Sequence, residues 1–293
     1  MEMISGLAAV ILPVFLLSGL GYGWGRRGLP FDHVFITNIV TMVGSPCLIF
    51  ATLSKIQFAP GRIAVMAEAT VACLVLFAVA GALALRLLRL PAKVYLPSLA
   101  FPNIGNMGLP VCLFAFGDDG LALAMIYFAV TTSCQFTLGP AIAAGRLRPG
   151  GLLKVPFVYA VAAALLVALL GVKLPQWVAN TAALAGGMTI PLMLIALGVA
   201  LAELKIANLR RALGMSVGRL VLGLAGGWLV AEAFGLGGAM RGVVVIQSAM
   251  PVAVFNYLFA RMYDAAPEEV AGMVLLSTVL SYLTLPFVVA FVI

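Results

Sequence analysis

The chain has 293 residues, of which 64% are hydrophobic and 9% charged, with a net charge of +7 and a mean hydropathy of +1.18. Soluble domains carry about 25% charged and about 45–50% apolar residues, so a soluble globule is excluded, and disorder is excluded by the high hydrophobicity. The composition predicts an all-α polytopic membrane protein. A helix needs roughly 20 apolar residues to cross a bilayer, and ten such stretches follow in chain order. The first half holds Met3–Gly25, Val34–Ser54, Arg62–Leu85, Lys93–Phe116 and Gly120–Gly145. The second holds Leu152–Gly171, Trp177–Leu201, Ala212–Phe234, Ala239–Met262 and Glu268–Ile293. Span one starts Met1-Glu2-Met3 without a basic n-region and is too long for a signal peptide, so it reads as a retained helix.

The basic residues alternate between links instead of forming a stripe, so no nucleic-acid partner is expected. Odd links hold twelve of them and even links four. By the positive-inside rule the odd links face the cytoplasm. The expected location is the plasma (inner) membrane, multi-pass, with both termini on the outer side. Asp118 and Asp119 fall in an outside turn. Cys47, Cys73, Cys112 and Cys134 lie inside spans without metal-ligand spacing, so no disulfide, metal or cofactor is expected. HExxH, GxSxG and Walker sequences are absent, and no residue set proposes an enzyme.

Two sets of five spans enter the membrane in opposite senses. This predicts a 5+5 inverted repeat, residues 1–150 and 151–293, a common plan for secondary transporters. Pro13 pairs with Pro156, Pro46 with Pro191 and Pro140 with Pro286 at offsets of 143, 145 and 146. Thr131-Thr132 falls on Ser277-Thr278 at offset 146.

Spans four and nine, corresponding members of the two halves, both look broken. Span four reads Phe101-Pro102-Asn103-Ile104-Gly105-Asn106-Met107-Gly108-Leu109-Pro110. Span nine reads Gln247-Ser248-Ala249-Met250-Pro251 and continues to Asn256. Pro102, Gly108, Pro110 and Pro251 are the predicted breakers. Each break turns a half-helix N-terminus, about half a positive charge with free N–H donors, toward the bilayer centre. Two such ends suit a carboxylate. Asn103, Asn106, Gly105, Pro110, Gln247, Pro251 and Asn256 are the candidate substrate-binding residues.

Other polar residues are weighed against bland roles. Glu68, about two turns into span three, is either a proton-coupling carboxylate or one that reaches outside water. Arg219 is expected to snorkel to the cytoplasmic interface. Asn38 and Gln135 are expected to bond neighbouring helices, Glu232 to be solvated, and His33 to be structural or solvated. Glycine runs such as Gly223 to Gly227 allow close helix contacts, within the chain or in a homodimer.

These motifs resemble the auxin efflux carrier family. Phe101-Pro102-Asn103 with Met107-Gly108-Leu109-Pro110 resembles its span-four motif. Gln247 to Pro251 with Phe259-Ala260-Arg261-Met262-Tyr263 resembles its span-nine motif, and Asn38 to Pro46 its span-two pattern. The resemblance implies two crossing broken helices and outward termini. It implies a scaffold of helices 1, 2, 6 and 7, a transport part of helices 3–5 and 8–10, and elevator-type movement. It also implies that Asn103 lies at the substrate site, that Pro110 and Pro251 mark the crossover, and that Glu68 matches an acidic position beside the pocket. The short link between spans five and six resembles bacterial members, some of which are described as malonate or small-carboxylate transporters. The expected substrate is a small organic anion: malonate, another dicarboxylate or an auxin-like acid. Coupling to H+ or Na+ stays open. The broken-helix plan is shared with the bile acid:sodium symporters, whose sodium coupling would need an acid beside a break. A non-transporting sensor would need an output domain.

Overall fold

The computed structural model describes residues 2–53, 60–145, 175–204 and 206–293, with 159, 163, 166 and 167. Most of span six, Pro156 of the Pro13–Pro156 pairing, and the basic link residues Lys55, Arg146, Arg148, Lys154, Lys173 and Lys205 therefore lie outside the described residues. The described residues are helical, with one isolated antiparallel bridge between Pro102 and Val252. Among the described residues, seven helices are long and apolar enough to cross a membrane.

Helix α1 is Glu2–Arg26. Span two is not one regular helix. It runs as α2 (His33–Ile39), a π-helical turn (Val40–Gly44) and α3 (Ser45–Leu53). Asp32 starts it by accepting from the Phe35 N–H at 2.9 Å. Helix α4 is Pro60–Leu87, and α5 is Ala92–Ala100, the first piece of span four. A second π turn, Ile104–Gly108, leads into α6, Leu109–Ala144. Gly117, with φ 63 and ψ −154, splits α6 into the end of span four and all of span five. Only glycine adopts that backbone without strain. Span seven is α7 (Gln176–Gly187) and α8 (Thr189–Glu203), interrupted at Met188. Then come α9 (Leu209–Ala233), α10 (Gly238–Ala249), α11 (Val254–Met262) and α12 (Pro267–Val292).

Two packed sets emerge. Helix α1 lies along α8, and α3 lies along α7. Helices α4, α5, α6, α9, α10, α11 and α12 pack mainly on one another. The α1–α8 contact brings backbones together. A Cβ on Gly21 would overlap the Ile195 carbonyl oxygen, and one on Gly198 would overlap the Ser18 carbonyl oxygen. Gly44 instead meets the Thr189 side chain, whose hydroxyl oxygen stands where a Cβ on Gly44 would be, so the irregular points of spans two and seven touch each other. Gly223 and Gly227 press on Ser248, and Gly226 presses on Phe77. That glycine run is therefore spent on contacts within the chain.

Polar ties hold the helix ends. His33 pairs with Glu203 at 3.0 Å, linking α2 to α8. Arg62 and Asp119 lie 3.5 Å apart, and Arg241 and Glu232 2.9 Å apart. Arg211 donates to Glu269 at 3.1 Å, and the Tyr95 hydroxyl donates to the same carboxylate at 3.3 Å. That cluster joins the starts of α5, α9 and α12.

The glycine contacts make a paired prediction. Gly198→Ala forces α1 and α8 apart and costs about 1–3 kcal/mol. Gly218→Ala, with nothing within 4 Å of the added carbon, costs nothing and gains a few tenths of a kcal/mol. Melting of the two purified variants checks this. Equal melting temperatures would remove the close backbone contact.

Candidate functional site

The chain leaves helical geometry where proline forces it to. Pro102 and Pro251 lack N–H groups and push the preceding residue toward extended backbone. Phe101 sits at φ −112, ψ 102, and Met250 at φ −63, ψ 150. The two extended segments then pair. Asn103 N donates to Pro251 O at 2.7 Å, and Ala253 N donates to Phe101 O at 3.3 Å. Val252 N donates to Ser277 Oγ at 3.0 Å.

The structure corrects part of the predicted break. Gly108 and Pro110 do not interrupt the chain. Gly108 is helical at φ −65, ψ −45, and Pro110 lies in the first turn of α6. The helix that starts at Ile104 runs through both, with Gly108 N donating to Asn103 O at 3.3 Å and Leu109 N to Ile104 O in the π turn. The interruption is confined to Phe101, Pro102 and Asn103.

Asn256 holds the first break from the second. Its Nδ2 donates to Pro97 O at 3.1 Å and to Phe101 O at 3.0 Å. Its Oδ1 accepts from Gln135 Nε2 at 3.1 Å. Both donors and the oxygen of the Asn256 amide are thus taken up by protein, and Gln135 bonds a neighbouring helix as expected. Asn38 differs from expectation. It lies on the exposed side of α2.

Other amides at the breaks are unpaired. Asn103 occupies the N-cap position of the turn that starts at Ile104, yet its side chain caps nothing. Asparagine is among the best N-caps, yet this amide is not used as one. The residue is 4% exposed and its Nδ2 has no partner. Gln247 is fully buried, and neither Nε2 nor Oε1 has a partner. Its Oε1 lies where a Cβ on Gly108 would be, against the turn that opens the second half-helix. Helix α11 also starts without a side-chain cap. Gly105 lies under Met193 of α8 and Phe128, and Asn106 is half-buried. The two uncapped helix starts are tied together by Asn103 N and Pro251 O, with orphan amides beside them.

Arg219 overturns its expected place. It does not snorkel; it is fully buried in α9. Its Nη1 donates to Leu99 O at 2.8 Å and its Nη2 to Ser248 O at 2.6 Å. The guanidinium carbon stands 4.8 Å from the centre of the Phe77 ring. Ser248 Oγ lies 3.0 Å from the Tyr127 hydroxyl and donates to Cys73 Sγ at 3.5 Å. A sequence signal existed. Arg219 shares a helical face with Gly223, Gly226 and Gly227, the face that meets other backbones. Glu68 lies with Val71, Val75, Val79 and Leu83 on the exposed stripe of α4, whereas the breaks are buried.

These partners separate stability from binding. Asn256→Ala leaves two buried carbonyls with fewer donors and the Gln135 amide without its acceptor, at about 1–3 kcal/mol. Asn103→Ala removes an amide nitrogen that has no partner and costs no stability. Melting curves check the contrast. A larger loss for Asn103→Ala would mean that its amide is structural.

A transporter of Methanocaldococcus jannaschii, itself described as uncharacterized, is 25% identical, over 94% of this chain and 96% of the relative. The model of the membrane transport protein family matches twice, over residues 7–150 and 147–289. The chain therefore belongs to the membrane transport protein family, the group to which the resemblance to auxin efflux carriers pointed.

Proposed function

We propose that this membrane transporter carries a small organic anion across the plasma membrane by elevator-type alternating access. The carboxylate would be malonate, another dicarboxylate or an auxin-like acid. The observation that carries the reading is the pair of buried amide nitrogens without a partner, Asn103 Nδ2 and Gln247 Nε2, beside two uncapped helix starts. A buried amide without a partner costs about 1–3 kcal/mol. An anion bound there would offset that cost and meet the positive helix ends. Asn106, Gly105 and Pro251 line the same turn and break, and Asn256 holds them in place.

Ten spans in a 5+5 inverted repeat account for the arrangement. Seven long helices are present among the described residues, one of which carries the end of span four. Span nine is divided between α10 and α11, and most of span six lies outside the described residues. The two family matches divide the chain near its middle, as a repeat would. The two packed sets support a scaffold containing spans one, two and seven and a transport part of spans three to five and eight to ten. The parts touch through Gly105 and Met193, and through Phe15 and Tyr282, whose rings stand 4.4 Å apart. Both termini face outward in this reading.

The position of Glu68 favours potential-driven movement of the anion without proton coupling. An exposed carboxylate on the outer part of α4 stays in contact with its surroundings in any position of the transport part. Uptake by the Glu68→Gln protein should keep the wild-type pH profile. A displaced profile would return Glu68 to a coupling site.

The direct test is thermal stabilisation of the purified protein by malonate, malate, succinate, indole acetate and benzoate. A ligand at 100 times its Kd adds about 2.7 kcal/mol of stability. One carboxylate should raise the melting temperature, and the rise should vanish in Asn103→Ala. Stabilisation by sodium or a cationic solute, with none by anions, would overturn the reading.

A further inference from the structure

Arg219 poses a problem of charge. It is fully buried, and its bonds go to two backbone carbonyls. Among the described residues no carboxylate bonds it. A buried cation without a counter-charge is expensive. The two carbonyls share one feature. Leu99 is the penultimate residue of α5, and Ser248 is the penultimate residue of α10. Each is thus at the C-terminal end of the half-helix that precedes a break. A helix C-terminus carries about half a negative charge and carbonyls that lack intrahelical partners. Two such ends supply about one negative charge between them, which matches one guanidinium.

We infer that Arg219 is a positioning residue that locks the two interrupted helices to each other, with one guanidinium capping both half-helices and supplying their common counter-charge. The fork geometry matters. Two nitrogens of one rigid plane reach two carbonyls, so the ends of α5 and α10 have a fixed separation. The Phe77 ring supports the plane from one side. Gly223 and Gly227 admit Ser248 close enough to α9 for the bond to form. Tyr127 and Cys73 hold the Ser248 hydroxyl. The bridge between Pro102 and Val252 then lies just beyond a clamp on both strands. The assignment does not depend on which ligand the breaks receive.

Hydrogen exchange of the purified full chain tests it, read by mass spectrometry on segments 97–108 and 247–256, with α1 and α8 as references. Arg219→Met should speed exchange in both segments by at least about tenfold, because charged hydrogen bonds are lost at both ends. The references should not change. Arg219→Lys keeps the charge but reaches a single carbonyl, so it should protect one segment and leave the other fast. Protection of both segments by Lys would show that charge alone suffices and would overturn the clamp. A rise confined to 247–256, or an equal rise in α1 and α8, would also overturn it. Should Arg219→Met fail to fold, Gly223→Ala gives a second route. Its new carbon overlaps the Ser248 carbonyl oxygen and dislodges it from the guanidinium. Exchange should then rise at 97–108 as well as at 247–256, and a rise at 247–256 alone would sever the proposed link.

Discussion

A polypeptide that stops being helical inside a bilayer must still pair its N–H and C=O groups, since lipid offers no partner. Here two interruptions answer for each other. Asn103 N and Ala253 N donate across the gap between them. Asn256 and Arg219 take up carbonyls that neither strand can serve. The candidate site follows from this requirement. Once the backbone is satisfied without the Asn103 and Gln247 side chains, those amides stand buried and unused. A protein that needed them for folding would have used them, as it uses Asn256.

The packing around the breaks divides the labour between glycine and bulky residues. Where helices must lie backbone to backbone, as in α1 on α8 or α9 on α10, glycine removes the side chain that would intervene. Where the chain must be filled, α6 supplies a buried run from Leu121 to Phe128. Charged pairs sit at helix ends, as with His33 and Glu203 or Arg241 and Glu232. Among the described residues the buried charge of Arg219 is the exception, and it belongs to the breaks.

Much of the fold was readable from local chemistry. Proline at 102 and 251 acts on its own neighbours, so both breaks could be located from the sequence. The predictions failed where tertiary partners decide. Gly108 and Pro110 look like breakers by composition, yet Gly108 closes the wide turn and Pro110 follows it without a break. Span two gave no warning of its π turn. Asn256 and Asn103 are the same residue type near equivalent breaks, and only the partners show that one is a clamp and the other unpaired. Arg219 was misread because snorkelling is judged by depth, whereas its fate follows from facing Leu99 and Ser248. Glu68 was readable as an alternative between two roles, and its place on the α4 stripe with Val71 and Val75 is a property of packing.

The clamp also bears on how the chain is made. Synthesis delivers Leu99 long before Arg219, whereas Ser248 comes 29 residues later. Span eight must therefore enter the membrane with its cation half-partnered. A central arginine costs roughly 2.5–3.5 kcal/mol at insertion. The α5 carbonyl can lower that cost at once, and α10 only afterward. The first half of the protein thus acts as the receiving surface for span eight. Closure of the second break becomes the step that completes assembly.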